Sequence, residues 1–360
     1  MKQLYTNMPD TDINNMTKSS ILLIYTGGTI GMKQDPDTLA LVPFNFNQIE
    51  QEVPELKKFG YNIESYAFDP LIDSSDVKPD FWVELATLIE KNYPKYDGFV
   101  VLHGTDTMSY SASMLSFMLE NLEKPVVFTG SQLPIGMLRT DGKENLISSI
   151  EIAAAKDENG RAIVPEVCIY FDSQLYRGNR TTKFNAENFK AFRSSNCQML
   201  ADVGIHIKYN RRHIIYPEVW GNKLIVHKKL DTNVAILKIF PGIPPEVVKT
   251  VFSIKGIRAV IIETFGSGNA PTEKWFLDEV KACVSRGVTV LNVTQCQAGS
   301  VDMDAYATGV ALKRAGVVSS YDSTTEAALA KLFFLLAQYS DTEKVKEELQ
   351  KNLRGEISVY

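Results

Sequence analysis

Short, nearly continuous apolar runs alternate along this chain with longer stretches in which apolar residues recur at helical spacing. The apolar runs predict strands at 21–25, 99–102, 126–129, 167–171, 234–239, 259–264 and 288–293. The helical spacing predicts helices at 80–91, 107–122, 143–155, 245–253, 272–285, 324–339 and 342–352. Because strands that are apolar on both faces need cover on both faces, this alternation predicts parallel sheets flanked by helices.

The alternation lapses between residues 208 and 231, where polar side chains and a Trp-Gly-Asn turn show no sustained period. A chain of 360 residues is long enough for two domains, since a domain typically has about 100–200 residues. We therefore predict a larger N-terminal catalytic α/β domain at 1–207, a linker at 208–231 and a smaller C-terminal α/β domain at 232–360. Each domain is expected to contain a mainly parallel sheet.

Composition narrows the class of protein without identifying it. Hydrophobic residues make up 44% of the chain and charged residues 22%, as in ordinary globular proteins. The net charge of -5 argues against nucleic acid or a membrane surface as a partner. No apolar run approaches the roughly 20 residues of a membrane helix, and the polar N-terminus lacks the apolar stretch of a secretory signal.

The positions of the cysteines and histidines give no sign of a disulfide framework or a metal site. The cysteines are far apart and show no CxxC spacing, so neither a disulfide framework nor a zinc site is indicated. The histidines form no HExxH motif or comparable cluster. We therefore expect a cytoplasmic protein that binds no metal.

Two threonines stand in glycine-containing turns directly after predicted strands. Thr29 ends a Thr-Gly-Gly-Thr turn after strand 21–25, and Thr105 stands in a His-Gly-Thr-Asp turn after strand 99–102. Such turns deliver a hydroxyl to the carboxyl edge of a parallel sheet, where open α/β proteins bind their ligands. Two hydroxyls beside uncovered backbone amides suit nucleophilic chemistry at a carbonyl, with the amides as an oxyanion hole.

Each threonine also has a structural interpretation that the sequence leaves open. The turn at Thr29 is compatible with phosphate binding or with a plain strand-to-helix turn, although it lacks GxGxxG and the P-loop lysine. Thr105 or the adjacent Asp106 can instead accept hydrogen bonds from the first turn of the next helix, as an N-cap. His103 is a lone histidine at a strand end, and we expect it to be a structural group.

Two further segments carry groups that suit an amino-acid substrate. The Asp-Ser-Ser-Asp segment at 73–76 either caps the next helix, which the sequence favours, or holds an α-ammonium and an α-carboxylate. Lys183 ends a basic turn in which Arg177 and Arg180 are expected to be solvated. A lysine beside Asp106 can take a threonine's proton only if burial outweighs the carboxylate and lowers the lysine pKa to ~7–8.

Together these segments resemble the cytoplasmic (type I) bacterial L-asparaginases. The matching stretches are TGGTIGM at 26–32, PLIDSSD at 70–76, HGTDTM at 103–108, TGSQ at 129–132, LYRGNRTTK at 175–183, GSGNAP at 266–271, TQC at 294–296 and NLRGE at 352–356. Each stretch alone is weak evidence, but their common order along nearly the whole chain is highly specific. The resemblance implies hydrolysis of L-asparagine to L-aspartate and ammonia, without a cofactor.

The resemblance also implies roles for individual residues. The implied catalytic residues are the nucleophile Thr29 and an activating relay of Thr105, Asp106 and Lys183. The implied substrate contacts are Asp73, Ser74, Ser75, Asp106 and, from a neighbouring subunit, Asn269. A shared site of this kind implies a homodimer or homotetramer whose active unit is at least an intimate dimer.

One departure from the family pattern concerns the loop at 32–44, which we expect to be a surface lid over the first glycine turn. Many relatives carry a tyrosine on this loop that assists the nucleophile. The loop has no tyrosine here, and Leu41 stands near the expected place. Tyr25 is expected to lie within the preceding strand and so to be a poor substitute, which leaves another group or water to assist Thr29.

A second departure concerns regulation. Some relatives bind asparagine at a second site through a threonine, an arginine and a cysteine. Thr182 and Cys296 match this set, but Glu263 stands where the arginine is expected. Because a carboxylate cannot pair with the carboxylate of asparagine, we predict weak or absent cooperativity at this site.

Three alternatives remain. A glutaminase-asparaginase of broader specificity differs by one substrate methylene, which is worth only about 1–3 kcal/mol of discrimination. The amide-releasing subunit of a transfer-RNA amidotransferase shares the fold, but such subunits usually carry an additional N-terminal region. A catalytically silent asparagine sensor would bind in the same cleft, and ammonia release distinguishes it from an enzyme.

Overall fold

The computed structural model describes residues 18–34, 41–43 and 53–359. Its strands are β1 (Ser20–Tyr25), β2 (Met32–Gln34), β3 (Leu41–Pro43), β4 (Asn62–Ala67), β5 (Gly98–Leu102), β6 (Leu119–Glu120), β7 (Val126–Thr129), β8 (Val167–Phe171), β9 (Gln174–Arg177), β10 (Thr182–Lys183), β11 (Phe192–Arg193), β12 (Ala201–Val203), β13 (Ile207–Tyr209), β14 (Ile225–Val226), β15 (Val234–Lys238), β16 (Ala259–Thr264), β17 (Thr289–Thr294) and β18 (Val318–Ser319). Its α-helices are α1 (Pro79–Asn92), α2 (Met108–Met118), α3 (Gly142–Ala154), α4 (Pro245–Phe252), α5 (Lys274–Ser285), α6 (Ala307–Arg314), α7 (Thr325–Gln338) and α8 (Thr342–Leu349).

The N-terminal domain contains an eight-stranded sheet in the order β13-β12-β9-β8-β7-β5-β1-β4. The strands β4, β1, β5, β7 and β8 are parallel, whereas β9, β12 and β13 continue the sheet antiparallel. At the carboxyl end of β1, Tyr25 lies opposite Ala67 of β4 and Leu102 of β5. The mainly parallel sheet expected from the apolar runs is confirmed.

Alternate side chains of β1 face opposite layers of helices. Leu22 and Ile24 pack in one apolar cluster with side chains of α1 and α2. Ile21 and Leu23 pack in a second cluster with side chains of α3. Because a slip of one residue would exchange the two faces, this burial specifies the register that sets the ends of β1 and β5 side by side.

The C-terminal domain contains a four-stranded parallel sheet in the order β15-β16-β17-β18. Val248 of α4 and Phe276 of α5 pack in one apolar cluster with Val260 of β16. Helix α7 packs against β15 and β16 and also against α2 of the N-terminal domain. The rings of Phe117 and Phe334 stack across this contact with centroids 6.0 Å apart, so the two domains share apolar packing.

The structure differs from the sequence prediction where elements are short or exposed. The predicted helix 107–122 ends at Met118, and the next two residues form β6, which pairs with β14. Strand β14 and part of β13 lie within the predicted linker 208–231, so backbone pairing ties that segment to the N-terminal domain. Strand β4 and helix α6 were not expected because few of their side chains are buried. The domain boundaries stay a prediction.

The predicted lid at 32–44 lies only partly within the described residues. Its two ends form β2 and β3, which pair antiparallel with Met32 opposite Pro43. Residues 35–40 and 44 lie outside the described part of the chain, as do residues 1–17 of the polar N-terminus. The function of this segment as a lid therefore stays a prediction.

Candidate active site

A cavity opens at the carboxyl edge of the N-terminal sheet, between β1 and β5. The chain leaves β1 toward β4 on one side and leaves β5 toward β7 on the other, so a crevice forms where the strand order reverses. The cavity has a volume of about 180 Å³, and its walls come from both glycine turns and from residues 71–74. Thr29, Thr105 and Asp106 all line it, so the tertiary structure brings these three predicted catalytic residues together.

Glycines allow the two threonine turns to touch. Gly28 has a φ of +91°, and a Cβ atom on it would lie 2.6 Å from the Cα of Gly104. A Cβ atom on Gly104 would lie 2.5 Å from the Oγ of Ser74. A side chain on Gly28 would push the two turns apart, and one on Gly104 would push against Ser74. The first turn is also tied to β5, because the Thr26 hydroxyl donates to the carbonyl of Leu102 at 2.9 Å.

Lys183 reaches Thr105 from β10, 78 residues further along the chain. Its Nζ lies 2.7 Å from the Oγ1 of Thr105 and 2.7 Å from the Oδ1 of Asp106. The Lys183 side chain is 17% exposed and that of Asp106 is 65% exposed. As an ammonium group, Lys183 donates to both oxygens, and after losing a proton its nitrogen can accept one from the Thr105 hydroxyl.

Neither Thr105 nor Asp106 caps the helix that follows. Helix α2 begins at Met108, and its N-cap Thr107 makes no side-chain capping bond. The Thr107 hydroxyl instead donates to the carbonyl of Ser74 at 2.6 Å. The N-cap interpretation is therefore wrong, and the side chains of Thr105 and Asp106 serve the cavity.

Asp73 both caps a turn and lines the cavity. Its Oδ1 accepts from the backbone N–H of Ser75 at 2.9 Å and from the Ser75 hydroxyl at 2.8 Å, which caps the 3-10 helix Ser74–Asp76. These two bonds hold the pKa of the Asp73 carboxyl below its usual value, so it is ionised at neutral pH. Asp73 and Ser74 are among the residues that line the cavity, and Ser75 is not. The predicted cap thus serves this short turn and not α1, which begins at Pro79.

His103 lies behind the cavity in a chain of hydrogen bonds. Trp82 Nε1 donates to Ser111 Oγ at 2.9 Å. Ser111 Oγ lies 2.9 Å from His103 Nε2, and His103 Nδ1 lies 2.7 Å from the carbonyl oxygen of Gly104. Because a carbonyl only accepts, Nδ1 carries the proton and Nε2 accepts from Ser111. Burial lowers the pKa of His103 to about 4, so this neutral histidine holds the peptide before Thr105.

The basic turn that leads to Lys183 is buried, and the expectation that it is solvated was wrong. Arg177 is 7% exposed and Arg180 is 3% exposed. Arg177 Nε lies 2.6 Å from Glu166, and Arg180 Nη2 lies 2.6 Å from Asp322. Burial raises the pKa of the Asp322 carboxyl, but the hydrogen bond and charge of Arg180 together with the hydrogen bonds from Ser358 outweigh burial, and the pKa is lowered. Asp322 is 142 residues from Arg180, so local composition carried no sign of this pairing.

Tyr25 is the last residue of β1, as expected, but its ring also lines the cavity. The ring packs against the turn that carries Thr29, where a Cβ atom on Gly31 would lie 2.1 Å from its Cζ. Burial raises the pKa of the phenol to about 12, so it stays protonated at neutral pH. The sequence placed Tyr25 correctly in the strand, but the inference that a strand residue lies away from the site was wrong, because Tyr25 is the last residue of β1 and lies at the cavity.

Asn269 is not among the residues that line this cavity. It follows β16 in the C-terminal domain, where the Thr308 hydroxyl donates to its Oδ1. A larger cavity of about 1110 Å³ lies beside the basic turn, and its walls contain none of the predicted catalytic residues. We therefore assign the site to the smaller cavity, where the two threonines meet.

Neither a metal-binding cluster nor a membrane-spanning helix is found in the described part of the chain. Within it, no three His, Cys, Asp or Glu side chains lie close enough to share a metal ion. Of the helices described, none combines the length and the apolar character that crossing a membrane requires. The four cysteines are free; they are Cys168, Cys197, Cys283 and Cys296.

Comparison with known proteins finds relatives along nearly the whole chain. Residues 20–215 match the family described as "Asparaginase, N-terminal", and residues 233–349 match "Glutaminase/Asparaginase C-terminal domain". The chain is 45% identical over 355 residues to L-asparaginase 1 of Escherichia coli (strain K12), covering 95% of this chain and 99% of that protein. It is 41% identical over 366 residues to a 60 kDa lysophospholipase of Mus musculus, covering 94% of this chain and 62% of that protein. The crystal structure of L-asparaginase I from Vibrio cholerae matches with a TM-score of 0.85 and 41% identity, covering 95% of this chain and 100% of that chain.

Proposed function

Since the chain belongs to the asparaginase family and hydrolyses the side-chain amide of L-asparagine, we propose that Thr29 is its nucleophile. The observation that carries this proposal is the meeting of Thr29, Thr105 and Asp106 in one cavity. A single lysine, Lys183, bonds the second threonine and the aspartate there. The cavity thus combines a nucleophile with the groups that move its proton.

The reaction proceeds through a covalent intermediate in two steps. The Thr29 oxygen gives its proton to the relay and attacks the amide carbon, the relay passes the proton to the amide nitrogen, and the C–N bond breaks, so that ammonia leaves and an aspartyl ester of Thr29 remains. Water then attacks the ester, the bond to Thr29 breaks, and L-aspartate leaves as Thr29 regains a proton. Thr105, Lys183 and Asp106 relay the protons in both steps, because the Nζ of Lys183 lies within hydrogen-bond distance of both Thr105 and Asp106.

The backbone and the charged walls of the cavity stabilise the reacting groups. We assign the oxyanion to the backbone N–H groups at Gly28–Thr29 and Thr105, and one such donor is typically worth about 3–4 kcal/mol. The ionised Asp73 carboxylate pairs with the α-ammonium of the substrate, and Ser74 and Asp106 complete the substrate contacts. A cavity of about 180 Å³ suits a small amino acid.

We propose that the active unit is at least a dimer, in a homodimer or a homotetramer. Asn269 is implied in substrate binding, yet it is not among the residues that line the cavity of its own chain. A partner subunit then supplies its own copy of this asparagine. Sedimentation velocity at assay concentrations tests the proposal, and a fully active monomer would contradict it.

Two finer assignments are also proposals. We expect L-asparagine to be preferred and L-glutamine to be hydrolysed more slowly, because one methylene supports only about 10–200-fold discrimination. We expect a cytoplasmic localisation, because the cysteines are free and Cys168 and Cys283 are buried. Fractionation of the native organism followed by immunodetection tests the localisation.

The first experiment is ammonia release from L-asparagine and L-glutamine by the wild type and by the Thr29→Ala and Thr105→Ala variants. We expect turnover of asparagine by the wild type and its loss in both variants. Binding of asparagine without ammonia release by the wild type would support the sensor alternative. Equal kcat/KM for the two substrates would support the broader glutaminase-asparaginase.

A further inference from the structure

Lys183 stands on a strand of only two residues, and its neighbour Thr182 bonds to the other domain. Strand β10 pairs with β11 alone in a two-stranded sheet. The Thr182 hydroxyl donates to Oε1 of Glu326 at 2.6 Å, across 144 residues of sequence. Because side chains alternate along a strand, one face of this dipeptide serves the cavity and the other is attached to the C-terminal domain.

Glu326 belongs to a helix that both domains hold in place. It lies in the first turn of α7, the helix that packs against α2 of the N-terminal domain. The stacked rings of Phe117 and Phe334 belong to that contact. The acceptor for the Thr182 hydroxyl is therefore presented by a rigid element and not by a loop.

A second carboxylate, that of Glu263, lies near Glu326. The charge of each carboxylate disfavours the other, so hydrogen bonds from threonine hydroxyls help to stabilise the pair. Glu263 accepts from the Thr325 hydroxyl at 2.7 Å, and the Nζ of Lys238 is 3.8 Å from it on a side chain that is 66% exposed. Burial raises the pKa of Glu326, and the charge of Glu263 adds to the effect. Burial raises the pKa of Tyr110 to about 12, with both carboxylates contributing. The Thr182 hydroxyl thus donates to Glu326, whose pKa Thr324 and its own backbone N–H also lower, and the Thr325 hydroxyl donates to Glu263.

We propose that Glu326 is a positioning residue, which acts through Thr182 to fix the backbone that presents Lys183 to Thr105 and Asp106. The inference rests on the proposed role of Lys183 in the proton relay. A displacement of about 1 Å at a reacting group can cost about 10²-fold in rate. Because neither Thr182 nor Glu326 is among the residues that line the cavity, losing their bond should affect turnover more than substrate affinity.

The test compares side chains that keep or remove this hydrogen bond. Thr182→Val has nearly the same shape and no hydroxyl, and we expect kcat to fall about 10–100-fold with KM within about threefold. Thr182→Ser retains the hydroxyl and should keep kcat within about threefold of the wild type. Glu326→Leu should match Thr182→Val, whereas Glu326→Gln retains an acceptor and should recover most of the turnover. The double variant of Thr182→Val and Glu326→Leu should be no slower than either single variant.

The matched control is Thr325→Val, which removes the neighbouring bond to Glu263 and should leave kcat within twofold. Equal losses in Thr182→Val and Thr325→Val, or no rescue by Thr182→Ser, would overturn the inference. Melting temperatures show which variants are folded. Wild-type turnover in Lys183→Met would refute the proposed relay itself, whereas an inactive Lys183→Met beside a fully active Thr182→Val would refute only the role of Glu326.

Discussion

Both parallel sheets of this molecule end in threonines at their carboxyl edges, yet only one edge forms a candidate active site. At the C-terminal sheet, the Thr264 hydroxyl donates to Asn292 at 2.6 Å and the Thr294 hydroxyl donates to the carbonyl of Gly266 at 2.6 Å. At the N-terminal sheet, the Thr29 side chain forms no hydrogen bond with any described residue, and Thr105 accepts from Lys183.

The comparison shows that a hydroxyl at a strand end is not by itself a chemical site. In the C-terminal domain, both threonine hydroxyls donate to acceptors in the same domain, so these hydroxyls have a structural role. In the N-terminal domain, Gly28 and Gly104 bring the two turns into contact and leave Thr29 facing a cavity. A lysine from a distant strand then supplies the partner that the local turn lacks.

The largest expected effect comes from comparing a threonine substitution at the edge of the N-terminal sheet with one at the edge of the C-terminal sheet. Thr29→Ala removes the proposed nucleophile, and we expect kcat for asparagine to fall by at least about 10³-fold. Thr264→Val leaves Asn292 without its donor in a buried site, so it should cost about 1–3 kcal/mol of folding free energy and keep kcat within a few-fold. Ammonia-release kinetics and urea denaturation measure both. A loss of turnover in Thr264→Val as large as in Thr29→Ala would contradict the comparison.

The next effect concerns the charged wall of the cavity. Asp73→Asn removes the carboxylate that we propose pairs with the substrate ammonium, and we expect KM to rise about 10–100-fold with a smaller change in kcat. Asp76→Asn is the control, because it changes a carboxylate in the same turn that does not line the cavity. Since the pKa of Asp73 is lowered, its contribution to affinity should persist as the pH falls past the ordinary aspartate value and be lost only below it. A loss of affinity above that value would count against the assignment.

A smaller effect tests whether glycine contact positions the turns. Gly28→Ala strains a residue with φ +91° and pushes against Gly104, so we expect about 1–3 kcal/mol of destabilisation and roughly tenfold lower kcat. Gly160 has a φ of +76° with no atom within 4 Å of the added Cβ, so Gly160→Ala isolates backbone strain from contact. It should lower stability by about 1 kcal/mol and leave kcat unchanged. Equal kinetic effects in the two variants would show that contact between the turns is unimportant.

The smallest expected effect concerns regulation by asparagine near Glu263, at the carboxyl edge of the C-terminal sheet. We predict a hyperbolic dependence of rate on asparagine concentration, because Glu263 stands where a regulatory arginine is expected and its charge acts on Glu326, so that the two carboxylates would repel the carboxylate of a second asparagine. Cys296→Ser should leave the curve unchanged. A sigmoidal curve that a substitution at Thr182 or Cys296 abolishes would refute this prediction.

Much of the fold and part of the candidate site could be predicted from the sequence. The strands 126–129, 167–171 and 259–264 have the expected bounds, because continuous apolar runs report burial on both faces. The pairing of β6 with β14 and the antiparallel end of the N-terminal sheet were not expected. Those strands are only two to four residues long, too short for an apolar run to mark them, and β6 and β14 are also distant from each other in the sequence.

The site divides in the same way. The positions of Thr29 and Thr105 in glycine turns after strands could be predicted from the sequence, since a turn depends on residues adjacent in the chain. Three contacts became known only from the folded structure: β1 lies beside β5, Lys183 reaches Thr105, and Arg180 is buried against Asp322. These juxtapositions join residues 76 to 142 positions apart through the packing of whole domains, and no local pattern records that packing.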